Sequence, residues 1–251
     1  MVPVVKAYPA LLGNSKEVVC VAGFQTEILT PPKWIRLFPV PYRDLDIEKQ
    51  FAKWQMLTID VVKTSKDRRP ESFLPLIDSI KLGRSVKEPE RRSIVDSLSH
   101  SSMCELIRKQ QIDGTSLGIV RPRKVLDLLI EPQDPGAIEK HKTRASSISS
   151  QPKLFGKSLN PLEIIPHRFL YSYLCDDHTC NGHKQGIIDW EIGAAYRNWR
   201  TKYPIDFIDR IKKKWLDEMC GPSKDTVFFV GNMHQHPSSF LILGVYWPKK
   251  L

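Results

Sequence analysis

The stretch from Cys175 to Glu191 constrains the fold more than any other part of the sequence, because it concentrates residues that bind metals or transfer protons. It contains two cysteines, two histidines and four carboxylates within seventeen residues. Thiolate and imidazole groups this close along the chain can reach one ion only if the backbone turns tightly. We therefore expect a tight turn here, reached through the aromatic alternation of His167–Leu174, which is typical of a strand.

The spacing within this stretch predicts a zinc site. Cys175 and Cys180 are separated by four residues, with His178 between them and His183 three residues further on. Zinc prefers tetrahedral thiolate and imidazole ligands, so we predict a structural Zn²⁺ held by Cys175, Cys180 and His183. Four ligands within nine residues would be cramped, which favours a fourth ligand from elsewhere. The candidates for this position are His178, His167, His234 and His236. The alternative is two ordinary reduced thiols in a histidine-rich turn.

Two carboxylates beside this turn permit a second interpretation. Asp189 and Glu191 lie at the start of an apolar helical stripe, where Asp commonly caps a helix. As catalytic groups, they would bind a divalent ion with His178 or His183 as the base and Lys184 stabilising a phosphoryl transition state, as in a metal-dependent nuclease. The sequence has neither a carboxylate-x-Lys strand nor a His-Asn-His arrangement. We therefore favour a non-enzymatic binding subunit over a nuclease.

Periodicity and composition predict an α+β fold. Short β-branched and aromatic runs separated by turn residues indicate a β-rich, barrel-like part with short helices over residues 1–132. Residues 133–161 are rich in Ser, Pro and Lys, which predicts a flexible linker or long loop. Residues 162–251 are expected to form an α+β part with two helices and a β-hairpin around the zinc site. A single β-rich domain with one long excursion would give the same pattern.

The charge balance favours a polyanionic partner. Lys and Arg number 38 against 28 Asp and Glu, which gives a net charge of +10 and a pI near 9.4. Clustered cations bind the phosphate backbone by releasing condensed counterions, so DNA or RNA is the expected partner. The residues predicted to contact it are Trp34, Arg36, Tyr42, Arg43, Lys66, Arg68, Arg69, Arg121, Arg123 and Lys124. Alternatively, Trp34 belongs to the core and the cations are solvated, or the basic surface meets an acidic protein.

The five cysteines and the apolar runs indicate the cellular location of the protein. The cysteine count is odd and the spacing irregular, and the N-terminus lacks a signal-peptide pattern, so we expect a reducing, cytoplasmic location. Apolar runs such as 240–247 are too short to span a bilayer, which argues against a membrane role.

Several motifs resemble patterns in uncharacterised bacterial proteins. They are the run from Trp34 to Arg43, the turn Arg69-Pro-Glu-Ser72, and Cys180-Asn-Gly-His183 leading into Asp189-Trp-Glu191. The resemblance implies a prokaryotic origin and assigns no residue a role. The alternation of short strands and small helices is also similar to nucleic-acid readers of the PUA and ASCH type. Together these features predict a recognition or assembly subunit of a nucleoprotein complex, for example in prokaryotic defence or nucleic-acid processing.

Overall fold

Short β-branched runs form strands throughout the first part of the chain. The computed structural model describes residues 1–12, 16–26, 32–98, 100–149 and 160–250. The strands described in its first 85 residues are β1 (Val2–Lys6), β2 (Ala10–Leu12), β3 (Lys16–Gln25), β4 (Lys33–Val40), β5 (Gln55–Thr58), β6 (Val61–Val62), β7 (Ser72–Pro75) and β8 (Lys81–Ser85). One sheet has the order β1-β3-β4-β7-β6 with β2 added to β3, and β5 pairs with β8. The pairs are antiparallel except for the parallel pair β4–β7.

Helices and longer strands make up the remainder. The elements are α1 (Glu88–Asp96), α2 (Met103–Asp113), β9 (Leu117–Val120), β10 (Pro122–Pro132), α3 (Pro135–Ser149), β11 (His167–Cys175), β12 (His183–Gly186), α4 (Trp190–Lys202), α5 (Phe207–Lys212), β13 (Val227–Met233) and β14 (His236–Tyr246). A π-helical turn at Lys213–Glu218 continues α5. The strands form the sheets β10-β11-β12 and β14-β13-β9. The predicted α+β class is confirmed, and the predicted C-terminal hairpin is β13–β14.

The segment predicted as a flexible linker contains helix α3. Its first turn is capped, because the Asp134 carboxylate accepts a hydrogen bond of 2.7 Å from the Ala137 amide, and Ala145 is buried. Residues 135–149 are thus helical where the composition predicted a flexible linker or long loop, and residues 150–159 of the interval lie outside the described residues. Strands β10 and β11, on either side of the interval, pair with each other from Pro122↔Cys175 to Pro132↔His167. The chain therefore leaves this sheet and returns to it.

The core joins early and late parts of the chain. One buried cluster combines Phe24 and Trp54 with Phe229 and Tyr246. The Phe229 ring lies 6.0 Å from Phe24 and 6.2 Å from Trp54. Aromatic pairs at such distances contribute beyond their buried area. The N-terminal sheet and the sheet β14-β13-β9 therefore pack against each other as two layers.

None of the described helices is long and apolar enough to cross a membrane.

Candidate metal centre

Three thiols and one imidazole converge in the structure: Cys104, Cys175, Cys180 and His183. Their ligand atoms all lie within 4.8 Å of one another. The Nε2 atom of His183 is 3.5 Å from the Cys104 sulfur and 3.3 Å from each of the other two sulfurs. The sulfurs of Cys104 and Cys175 are 3.7 Å apart. In the described part of the chain, no other group of three or more Cys, His, Asp or Glu side chains is close enough to hold an ion.

These distances match the edges of a tetrahedral zinc site. With Zn–S bonds of about 2.3 Å and Zn–N bonds of about 2.0 Å, two sulfurs are separated by about 3.8 Å, and a sulfur and a nitrogen by about 3.5 Å. The measured S–S distance of 3.7 Å and S–N distances of 3.3–3.5 Å agree with that geometry. They are far too long for a disulfide, whose sulfurs lie about 2.05 Å apart. The four residues could therefore hold a metal ion.

The β11–β12 hairpin positions three of the four ligands. Cys175 is the last residue of β11, His183 is the first of β12, and Tyr173 pairs with His183 across the two strands. Cys180 lies in the connecting turn. This turn is possible because Gly182 has φ of +100°, a conformation that glycine adopts without a steric penalty. The Gly182 amide then lies 3.4 Å from the Cys180 sulfur, to which it donates.

The fourth ligand, Cys104, comes from the first turn of helix α2. The helix begins at Met103 because the Ser102 side chain accepts a hydrogen bond of 3.0 Å from the Glu105 amide. Met103 and Leu106 are buried, and this fixes the face on which Cys104 lies beside the hairpin. A helix N-terminus also favours negative charge, including a thiolate.

Asp177 ties the turn to helix α2. Its Oδ1 accepts hydrogen bonds from the Thr179 amide at 2.9 Å and from the Thr179 hydroxyl at 2.7 Å. Its Oδ2 accepts a hydrogen bond of 2.9 Å from the Arg108 guanidinium on α2. The Asp177 carbonyl accepts a hydrogen bond of 3.0 Å from the Cys180 amide. Outer contacts of this kind orient the ligands of a metal site.

The electrostatics of the cluster are those of a cation-binding site. Burial, together with the two neighbouring thiols, raises the pKa of Cys104 to about 12. Burial also opposes ionisation of Cys180, but backbone hydrogen bonds outweigh it and lower the pKa of that thiol. Burial lowers the pKa of His183, against the opposing effect of Asp177, which favours the neutral imidazole that binds metals. A bound cation would supply the charge that lets all three thiols ionise together.

The structure corrects the predicted ligand set at one position. Cys175, Cys180 and His183 lie together as predicted, but His178 is exposed and is not a member of the cluster. The other proposed fourth ligands lie elsewhere: His167 contacts the Tyr196 hydroxyl at 3.0 Å, His234 contacts Asp67 at 3.4 Å, and His236 is exposed. Sequence reasoning missed Cys104 because it precedes Cys175 by 71 residues. The available signal was a cysteine two residues after a Ser that could cap a helix, in the first turn of that helix.

The carboxylates considered for a nuclease serve another purpose. Asp189 is buried and caps helix α4, because it accepts a hydrogen bond of 3.1 Å from the Glu191 amide. Lys53 Nζ lies 2.7 Å from Asp189 and 3.4 Å from Glu191. The Lys184 side chain is exposed. Neither carboxylate joins a metal-capable cluster among the described residues, so the capping interpretation of Asp189 is confirmed.

The predicted basic aromatic face on strand β4 does not form. Trp34 packs 4.4 Å from Phe24 between ring centroids, Tyr42 is buried, and Arg36 is 1% exposed. Both faces of β4 are covered, because Ile35 and Leu37 pack on one side while the second sheet covers the other. Arg36 therefore lies under the second sheet, and Tyr42, in the turn after β4, is also buried, so neither is the surface contact that was predicted. Trp34 packs against the core, which was the alternative interpretation of this residue.

The other predicted contacts divide into two groups. Arg43, Arg69 and Arg121 form ion pairs with Glu17, Asp67 and Asp225, respectively. The other four predicted cations, Lys66, Arg68, Arg123 and Lys124, are exposed and have no ion-pair partner among the described residues.

Cations and an aromatic ring do meet at the end of the chain. The ammonium groups of Lys214 and Lys224 each lie 4.6 Å from the centroid of the Trp247 ring. Lys224 pairs with Lys249 through an isolated β-bridge, and Lys249 and Lys250 are exposed. We call these five residues the Trp247 patch. None of these five residues was among the predicted nucleic-acid contacts.

Two family models match the chain. One, described as Domain of unknown function (DUF8757), matches residues 99–251, and a second, described as Domain of unknown function (DUF8758), matches residues 1–97. All four residues of the metal centre fall within the first of these segments. Neither the curated proteins nor the solved structures gave a match.

Proposed function

Because the chain belongs to the family described as Domain of unknown function (DUF8757), and this segment carries both the metal centre and the Trp247 patch, we propose that it is a zinc-stabilised nucleic-acid-binding protein. The zinc would be structural, and the patch would contact phosphates. The observation that carries the proposal is the pair of ammonium groups held 4.6 Å from one aromatic ring.

The ligand chemistry supports zinc. Three thiolates and one imidazole are soft to borderline donors, which suit Zn²⁺ better than Mg²⁺ or Ca²⁺. Four protein ligands close the coordination sphere, as in structural rather than catalytic zinc sites. Bound zinc would join helix α2 to the β11–β12 hairpin, and the chemistry it supplies is this crosslink.

The surroundings of Trp247 support a phosphate-binding role. Cation–π contacts hold the ammonium groups of Lys214 and Lys224 beside the Trp247 ring. Because these side chains are already restricted, they lose less conformational entropy when a phosphate binds. Of the nearby carboxylates, Glu218 pairs with Lys214, and Asp225 is shared between two arginines, Arg92 and Arg121. The exposed Lys249 and Lys250, which follow β14, extend the positive surface.

Partner class and location follow from the same argument. DNA or RNA is the proposed partner, with the chain acting as a recognition or assembly subunit beside other proteins. A reducing cytoplasm is the compartment in which the five free thiols would persist. The likeness to PUA and ASCH readers and the prokaryotic origin stay predictions.

The test is salt-dependent binding to labelled single- and double-stranded DNA and RNA, followed by fluorescence anisotropy. For wild-type protein we expect log K to fall linearly with log salt. The Lys214→Gln, Lys224→Gln double variant should reduce the slope on duplex DNA by about 1.8, because two phosphate contacts are lost. The matched control is Lys81→Gln, Lys87→Gln, which removes two exposed lysines elsewhere and should bind as wild type.

Binding that is absent or insensitive to salt would refute the proposal. If the protein instead retains partners in a pull-down after nuclease treatment, and binds no oligonucleotide, the basic surface meets an acidic protein.

A further inference from the structure

A long cavity runs beside strand β12 and the extended residues that follow it. Its volume is about 870 Å³, which is within the range of sites that bind small ligands. Every residue from Gly182 to Asp189 lines it, and parts of β2, β11 and β14 complete the lining. Extended residues rise by about 3.3 Å each, so the wall formed by this segment is about 23 Å long.

The middle of this wall is apolar. The cross-strand pair Tyr171 and Gln185 is buried. Side chains alternate along a strand, so the next pair, Leu170 and Gly186, faces the other way. A Cβ atom added to Gly186 would lie 3.2 Å from the side chain of Leu241 on β14. The absence of a side chain at position 186 therefore leaves space between two leucines that line the cavity.

One end of the cavity carries an uncompensated positive charge. Lys184 is exposed, lines the cavity and lies two residues from Gly186, on the same face of β12. Among the described residues, its ammonium group has neither an ion-pair nor a hydrogen-bond partner. Because Ile187 pairs with Ile242 in parallel, Lys184 is aligned with Ser239, three residues earlier on each strand. An exposed cation and a hydroxyl group therefore occupy the same end.

The other charged groups of the described lining already have partners. Asp189 is the carboxylate among them, and it is buried and bound by Lys53 at 2.7 Å. Arg168, which lies towards the Asp189 end of the wall, pairs with Glu131 at 2.9 Å. The charge of Lys184 is thus left to attract an anionic group.

Hydrogen bonds already made along the cavity favour an alkyl chain over a peptide as its occupant. The Ile188 amide donates to the Ile242 carbonyl at 3.0 Å, and the Ile188 carbonyl accepts a hydrogen bond of 2.6 Å from the Tyr8 amide. The Phe240 carbonyl accepts one of 3.2 Å from the Gln185 side chain. An extended peptide that adds to a strand needs such backbone groups as partners, whereas an alkyl chain needs only apolar surface.

We propose that this cavity binds a single-chain anionic lipid of the long-chain fatty acid class. The carboxylate lies at Lys184 and Ser239. The alkyl chain runs along Leu170, Gly186 and Leu241 towards the Asp189 end. An extended alkyl chain rises by about 1.25 Å per carbon, since C–C bonds are about 1.5 Å long, so about sixteen carbons fit along the wall. This binding needs neither the metal nor a nucleic acid.

The test is equilibrium dialysis of the intact protein against radiolabelled palmitate, below the concentration at which palmitate aggregates. We expect saturable binding of one molecule per chain. Each methylene added between decanoate and palmitate should improve the affinity about fourfold, because each is buried on the apolar wall. The improvement should stop beyond about eighteen carbons, where the wall ends.

Three variants locate the ligand, with laurate and dodecanol as an anionic and a neutral probe of equal chain length. Lys184→Gln should weaken laurate binding about fivefold and leave dodecanol binding unchanged. Arg168→Gln is the matched control, since it removes a cation that is already paired, and it should bind laurate as wild type does. Gly186→Leu should abolish the binding of both probes, and an unchanged melting temperature shows that its fold is retained.

Four results would overturn the proposal. The first is the absence of saturable palmitate binding. The second is an affinity that keeps rising with chain length beyond the end of the wall, which indicates non-specific partition. The third is equal laurate affinity in Lys184→Gln and wild-type protein, or in Gly186→Leu and wild-type protein. The fourth is binding of a peptide of alternating leucine and glutamate when palmitate does not bind, which would assign the cavity to a peptide.

Discussion

Replacing Cys104 by serine tests the metal centre at the ligand that sequence reasoning missed. The substitution keeps the approximate size of the side chain and removes one thiolate, while His183 Nε2 stays 3.3 Å from the sulfurs of Cys175 and Cys180. Serine is a poor ligand for zinc beside two thiolates. The other three ligands all belong to one hairpin, so this change removes the only connection through the metal to helix α2.

The expected loss of zinc affinity follows from the number of ligands, and the expected loss of stability follows from the length of chain between Cys104 and Cys175. Structural zinc binds with about 10–16 kcal/mol, or roughly 2.5–4 kcal/mol for each of four ligands, so affinity should fall by about 10²–10³-fold. Cys104 and Cys175 are 71 residues apart. A crosslink that closes a loop of that size stabilises a fold by roughly 4 kcal/mol, and its loss should lower the melting temperature by roughly 8–16 °C.

The assay measures metal content by mass spectrometry, affinity by competition with a chelator, and melting by circular dichroism. The matched control is Cys220→Ser, since Cys220 is also a partly buried free thiol but donates to the Trp215 carbonyl and lies outside the cluster. His178→Ala is a second control, because this exposed histidine should leave the metal bound.

Two results would refute the reasoning. Equal zinc affinity in Cys104→Ser and wild-type protein would show that Cys104 is not a ligand. Metal loss from His178→Ala to the same extent would return the site to the ligands that the sequence alone suggested.

Two further predictions concern the fold. The Phe229 ring centroid lies 6.0–6.2 Å from those of Phe24, Trp34 and Trp54, so Phe229→Ala should lower the free energy of unfolding, measured by urea denaturation, by about 3–5 kcal/mol. The control Ile205→Ala, at a 99% exposed position, should change it little. Equal effects of the two substitutions would contradict a core shared between the two segments. Burial opposes ionisation of Asp67, but hydrogen bonds from Arg69 and Ser72 outweigh it and hold the pKa of this carboxyl well below its usual range. The contribution of the Asp67 carboxylate to folding stability is therefore fully present above about pH 4 and is lost as the pH falls towards the pKa of the folded state. Asp67→Asn should lower the free energy of unfolding by about 2 kcal/mol at pH 7 and by less at pH 3. Asp60→Asn, at an exposed position, is the control. A loss of stability in Asp67→Asn that is the same at both pH values would contradict the ion-pair account.

Local sequence predicted correctly that Cys175, Cys180 and His183 lie together. Cys175, Cys180 and His183 lie within nine residues, so the chain itself keeps their separation small once the turn forms at Gly182. Similarly, Asp189 was recognisable as a helix cap, because capping depends on an amide only two residues away. Such features need no knowledge of distant parts of the chain.

The surface residues of strand β4 were harder to predict. The alternation around Arg36 is that of a strand with one solvated face, but a second sheet covers that face. Arg36 then donates to the Ser116 carbonyl at 2.9 Å, a contact across 80 residues. A period of two specifies which residues share a face, and it leaves open what packs against that face.

Local spacing and composition were enough to predict the α+β class, the turn that brings Cys175, Cys180 and His183 together, and the excess of positive charge. The packing of distant elements places Cys104 beside those three residues, Lys53 against Asp189, and two lysines at the ring of Trp247. These contacts join residues far apart in the chain. They depend on how helices and sheets pack, and that packing reflects the burial of the whole apolar core rather than any short motif.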